Sequence, residues 1–190
     1  GGKALKFCSV NKDQNNTPRC DNGAGGYQVC QITQTDIRGL KMDGSNQFPA
    51  ITATNTLPCQ SGQQTVSSDS YGSITAENCT LTFPNRSQYL LKNLTLRNNA
   101  TILLGEGDYY IDQLTIDNAT IKLTGSGLTR IFVNNDVRFV NNVNVNEGNT
   151  GSLIWVNYNN MVLDSSTKFY GYLYTDNKLT MNNNAAIYGR

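Results

Sequence analysis

From residue 74 onward the chain repeats one short pattern of apolar and polar positions. ITAENCTL begins at Ile74, LTLRNNATI at Leu94, LTIDNATI at Leu114, VRFVNNVNV at Val137, MVLDSSTKF at Met161 and LTMNNNAAI at Leu179. The copies therefore start 18 to 24 residues apart, and repetition at this period is the mark of a solenoid. The first and third positions are apolar: Leu94 and Leu96, Leu114 and Ile116, Val137 and Phe139, Met161 and Leu163, Leu179 and Met181. That alternation predicts a strand with one buried face. A polar turn follows, ending in Asn99, Asn118, Asn142, Ser166 and Asn184. Asparagine tolerates left-handed backbone and bonds nearby backbone groups, which suits a tight corner. Next comes a mostly small residue (Cys79, Ala100, Ala119, Val143, Thr167, Ala185), and two positions later an apolar one (Leu81, Ile102, Ile121, Val145, Phe169, Ile187). Each unit thus reads as strand, corner, strand. Asn99, Asn118, Asn142 and Asn184 are expected to stack as a structural asparagine ladder.

A third strand lies between the units: GDYYID (107–112), TRIFVN (129–134), SLIWVN (152–157) and GYLYTD (171–176). Three strands per coil of roughly 20 residues describe a β-helix. The fold expected is all-β: a right-handed parallel β-helix (solenoid) with an N-terminal disulfide-containing cap. About six coils over residues 71–190, at about 4.8 Å each, give a rod roughly 29 Å long. An antiparallel sandwich also has short, closely spaced strands, but it does not explain why the same columns recur at every third strand.

Residues 1–70 differ. They hold four of the five cysteines, three of the four prolines and the loop NGAGGYQ. We expect a loop-rich cap here, possible degenerate coil LKMDGSNQF (40–48) included, because a solenoid needs its open end covered. Arg190 follows the last coil directly. The open strand edges there predict that the chain continues or that this end docks on a partner.

Cys8, Cys20, Cys30, Cys59 and Cys79 are the disulfide candidates. With no CxxC pair and no histidine, zinc sites of the usual kind are not expected, and disulfides in an oxidising compartment are. Cys79 stands in the small inward column, which points to a bridge with Cys59; the connectivity of the others stays open, and five is odd.

Net charge is +1 and charged residues make up 15% of the chain, so nothing draws it to nucleic acid. No apolar run approaches 18 residues, so no membrane-spanning helix is expected. No signal peptide is visible either, which excludes no compartment. Polarity comes instead from Asn, Thr, Ser, Gln and Gly, side chains that stack on their own copies without repulsion.

No catalytic, metal or cofactor site is expected. The carboxylates Asp108, Asp112, Asp117 and Asp136 do not share a column, whereas sugar cleavage needs two at a set separation. Without histidine, Ser-His-Asp and Cys-His catalysis are excluded. NGAGGYQ lacks the Lys-Ser/Thr of a phosphate-binding loop and reads as a turn. The sequons at Asn78, Asn85, Asn93, Asn99 and Asn118 are read as chance matches in an Asn-rich ladder. Tyr170, Tyr172, Tyr174 and Tyr188 form a candidate aromatic contact surface for sugar or protein. Trp155 is expected in the core.

The stretches LLGEGDYYIDQLTIDNATIKLTGSGLTRIFVNNDVRF and GYLYTDNKLTMNNNAAIYG, within Leu94 to Arg190, carry a further signal. This half of the chain resembles the MshQ family, large biogenesis proteins of the MSHA (mannose-sensitive haemagglutinin) type IV pilus. The resemblance implies a secreted, extracellular, cell-surface component, pilus-associated, in contact with minor pilins or other modules of the same chain, and engaged in adhesion. It brings no catalytic motif. The function expected is a non-enzymatic structural or adhesion module; the alternatives are a glycan-binding β-helix module recognising a surface glycan, or a polysaccharide-degrading β-helix enzyme.

Overall fold

The computed structural model describes residues 48–189 apart from Thr150, together with three short strands nearer the N-terminus. The chain divides into two compact units, Gly1–Gln47 and Phe48–Arg190. In the first, β1 (Asn11–Lys12), β2 (Pro18–Asp21) and β3 (Tyr27–Val29) pair as an antiparallel sheet. Cys20 lies on β2, and β2 and β3 pair across the two sides of the glycine-rich loop. Cys8, Cys30 and the stretch 40–47 of the suspected degenerate coil lie outside the described residues.

The second unit is a parallel β-solenoid of about seven turns, with no helix among the described residues. Turn 1 holds β4 (Thr56–Cys59) and β5 (Gly62–Thr65); turn 2, β6 (Ser70–Glu77) and β7 (Cys79–Phe83); turn 3, β8 (Gln88–Arg97) and β9 (Thr101–Leu104); turn 4, β10 (Gly107–Asp117) and β11 (Thr120–Leu123). Turns 5 to 7 have three strands each: β12 (Thr129–Val133), β13 (Val137–Val140) and β14 (Asn144–Val145); β15 (Leu153–Asn157), β16 (Met161–Leu163) and β17 (Lys168–Tyr170); β18 (Tyr172–Thr175), β19 (Leu179–Met181) and β20 (Ala186–Tyr188).

The sequence columns are the structural columns. Leu57, Ile74, Leu94 and Leu114 are register partners in succession, and Val137, Met161 and Leu179 continue them. On the third sheet Leu81, Ile102, Ile121, Val145, Phe169 and Ile187 do the same. The repeat shows six turns and the structure about seven. Turn 1 was hidden because Gln64 stands where the other turns carry an apolar residue, partnering Leu81, and because no asparagine precedes its corner.

The interior is a stack of these columns. Aromatic rings fill the wide parts: Tyr89 lies 4.9 Å from Tyr109 in near-parallel stacking, and Phe83 meets both edge-on. Further along, Trp155 sits between Phe139 and Phe169 and is fully buried. The buried tyrosines are accommodated because each hydroxyl donates to a corner carbonyl, Tyr89 to Pro84 at 2.7 Å and Tyr109 to Gly105 at 2.9 Å. Burial pushes both phenols up from their ordinary range, so both stay neutral donors. Cys59 and Cys79 are joined by a disulfide inside this core, the pairing the small inward column predicted.

Corners hold the strain. Asn98 and Asn99, Asn141 and Asn142, Ser165 and Ser166, and Asn183 and Asn184 form consecutive left-handed pairs, while Asn78 and Asn118 turn the chain alone. Most L-residues lose roughly 1–2 kcal/mol in that region, and asparagine less. Gly107, at φ 137°, opens β10 where a Cβ would stand 1.9 Å from the Arg86 carbonyl oxygen.

One sheet also carries an outer aromatic patch. Tyr110 on β10 stacks on Phe132 on β12 at 4.9 Å. Phe48 stands edge-on to Tyr110 and to Tyr158, while Asn55 accepts backbone bonds from Gly72 and Ser73. Residues 48–55 thus run lengthwise over the turns before the chain enters turn 1.

Candidate functional site

The corner asparagines act chiefly through their backbone. Asn78 donates its N–H to the Asn98 carbonyl, Asn99 to Asn118, Asn118 to Val140 and Asn142 to Ser165. Each corner is therefore tied to the next turn. Within the ladder, Asn118 Nδ2 donates to Asn99 Oδ1 at 3.0 Å. Asn142 and Asn184 occupy the same left-handed corner position, but among the described residues their side chains make no such link.

The four aspartates do not converge. Asp108 on β10 takes a two-pronged bond from Arg130, both contacts 2.6 Å. Asp112 accepts from Asn134 and Asn135, Asp117 from Asn141, and Asp136 from Asn160. Every donor comes from the following turn. Among the described residues there is no group of three or more His, Cys, Asp or Glu side chains able to hold a metal ion.

The tyrosines fall on two sheets. Tyr170 on β17 and Tyr188 on β20 stack at 4.4 Å. Tyr172 and Tyr174 lie on β18, beyond the corner at Gly171 (φ 148°). Tyr172 is exposed; Tyr174 is half-buried and donates its hydroxyl to Asp176 at 3.0 Å.

A surface cleft beside β10 was not read from the sequence. It encloses about 520 Å³ and is lined by Gln113, Thr115, Asn135, Asp136, Asn159 and Asn160, with Leu114 beneath. Its origin is a single inserted residue. In turn 4, two residues separate the inward Ile111 from the inward Leu114 on one unbroken strand. In turn 5, three separate Val133 from Val137, and in turn 6 three separate Asn157 from Met161. The longer corners 134–136 and 158–160 break the strand and stand out beside the flat run of β10.

The second of these corners is tied down by a buried side chain. Asn157 is fully buried in an inward column that carries Ile111 and Val133 in earlier turns. Its Nδ2 donates to the Asn159 carbonyl at 2.8 Å and to the Asn160 carbonyl at 3.1 Å. Its Oδ1 has no partner, nor does the Nε1 of Trp155 two residues before it. Two orphaned polar groups in a core are costly, so this asparagine is held for the shape of the corner rather than for packing. Beside it, burial raises the Tyr158 phenol above its ordinary range.

The spacing between an inward third-strand residue and the next repeat was the available signal for the cleft. No protein-family model, curated protein or solved structure significantly matches this chain.

Proposed function

We propose that the chain is a non-enzymatic extracellular module of a bacterial type IV (MSHA) pilus system, a pilus-associated or tip adhesin component. The observation that carries this reading is the use of its carboxylates. Asp108, Asp112, Asp117 and Asp136 each bond to a side chain one turn further on, so their role is to clamp turns together. A catalytic groove would instead gather them around one substrate bond.

Two further observations support the reading. The buried Cys59–Cys79 disulfide fits a chain that matures in an oxidising compartment. The half of the sequence from Leu94 to Arg190 resembles the MshQ family of pilus biogenesis proteins. Display is the mechanism: successive turns make a stiff rod, and its corners and faces are offered to minor pilins, neighbouring modules or a surface ligand.

Immunogold labelling of intact bacterial cells that express the chain tests the placement. Label along or at the tip of pili, lost when the pilus is deleted, is expected. Label confined to the cytosol, or unchanged without pili, would overturn it.

A further inference from the structure

The cleft beside β10 has a chemistry of its own, set by which ends of its amides are already spoken for. Asn135 Nδ2 donates to the carboxylate and the carbonyl of Asp112, both at 3.0 Å. Asn159 Nδ2 donates to the Asn134 carbonyl at 3.1 Å, and Asn160 Nδ2 to Asp136 Oδ1 at 3.0 Å. All three nitrogens are engaged by other groups of the protein, that of Asn160 by Asp136 of the same wall. Among the described residues, none of the three Oδ1 atoms accepts a bond in return, and Asp136 Oδ2 is likewise without a donor. One wall of the cleft therefore offers a row of acceptors. The other side is the outward face of β10, where Gln113 and Thr115 are exposed and make no side-chain bond among the described residues; each can donate as well as accept.

We infer that this cleft is a binding site for a neutral, polyhydroxylated ligand, an oligosaccharide segment. A hydroxyl is donor and acceptor at once: it can give its hydrogen to the amide wall and take one from Gln113 or Thr115. The volume lies within the usual range for small-ligand sites, about 300–1,000 Å³. Phosphate and other anions are disfavoured, because the wall is acceptor-rich and carries the Asp136 carboxylate. A lipid is disfavoured because the lining is polar. A calcium ion prefers six to eight oxygens with several carboxylates among them, and this wall has one carboxylate. Both corners are fixed before any ligand arrives, 158–160 by Asn157 behind it and 134–136 by the bonds of Asn134 and Asn135 to Asp112, so little ordering cost falls on binding.

The inference does not depend on the pilus assignment, since a chain that ignores pilins can still hold a sugar. The test uses the full 190-residue chain on an array of neutral oligosaccharides (glucan, galactan, mannan and N-acetylglucosamine oligomers), followed by calorimetric titration of any hit, with calcium chloride alone in parallel. Gln113 and Thr115 make no internal side-chain bonds, so Q113A and T115V should fold with an unchanged melting curve. At least one neutral oligosaccharide should bind, tenfold or more weaker to the Q113A/T115V double variant, undetectably to Q113W, and unchanged to Y172A. Binding that survives Q113W or is lost in Y172A would move the site to the tyrosines and overturn the inference. So would calcium binding alone, or no binding of any array member at millimolar concentration.

Discussion

Arg138 and Asp164 join across one turn of the solenoid, with Arg138 Nη2 2.6 Å from the Asp164 carboxylate. The aspartate reaches in the other direction as well, accepting from Asn183 at 2.6 Å and from the backbone N–H of Ser165 at 2.9 Å. Three successive turns meet on one side chain, which is nearly buried although its arginine partner is exposed. Solenoid stability is a sum of nearest-neighbour contacts, and this residue contributes to two of them.

The bond from Arg138, followed by those from Asn183 and Ser165, holds the Asp164 carboxyl below the usual carboxylate range. A depressed folded-state pKa contributes stability that is present above the unfolded value, about 3.9, and is lost as pH falls through the folded value. D164N should therefore be less stable than the parent at pH 7, and its stability should fall less steeply between about pH 4 and pH 2. Urea unfolding across that range measures both.

The Cys59–Cys79 bridge closes a loop with a sequence separation of 20. Loop-closure entropy for that length corresponds to about 3 kcal/mol. A C59S/C79S double variant should unfold at lower urea by about this amount, and reducing agent should destabilise the parent but not the variant.

Asn118 carries its corner alone at φ 47° and also donates to Asn99. N118A should cost about 1–2 kcal/mol, because alanine tolerates the left-handed region poorly. N118G should cost less than N118A, since glycine removes the steric penalty and loses only the side-chain bond. Equal losses in thermal melts would mean that the bond, and not the backbone, governs the corner.

Asn157 presents a different balance. N157V restores the residue type of Val133, its partner one turn earlier, and removes a buried acceptor with no partner. Global stability should change by less than about 1 kcal/mol, because a half-satisfied buried amide gains little over an apolar group of similar shape. Hydrogen exchange at the 158–160 corner should rise, because the two bonds to its carbonyls are gone.

What could be read ahead of the structure follows from what repeats. Apolar alternation and a mostly small residue after the corner recur along the copies, and they predicted inward columns, Cys79 among them; Trp155 was legible as core from its place in the apolar third strand SLIWVN. Turn 1 escaped because Gln64 breaks its column. The tyrosines were legible as exposed candidates but not as two separate pairs: the corner at Gly171 interrupts the alternation that links Tyr170 to Tyr172. The cleft was illegible for another reason. It arises from one extra residue in two consecutive corners, and its chemistry depends on which way three amides face, a fact set by partners on neighbouring turns.

The most direct test of the functional account is a pull-down of soluble MSHA minor pilins on the immobilised, oxidised chain. Retention of at least one minor pilin is expected, with no release of reducing sugar from polysaccharide incubated alongside. Failure to retain any pilin, together with steady polysaccharide cleavage, would contradict it.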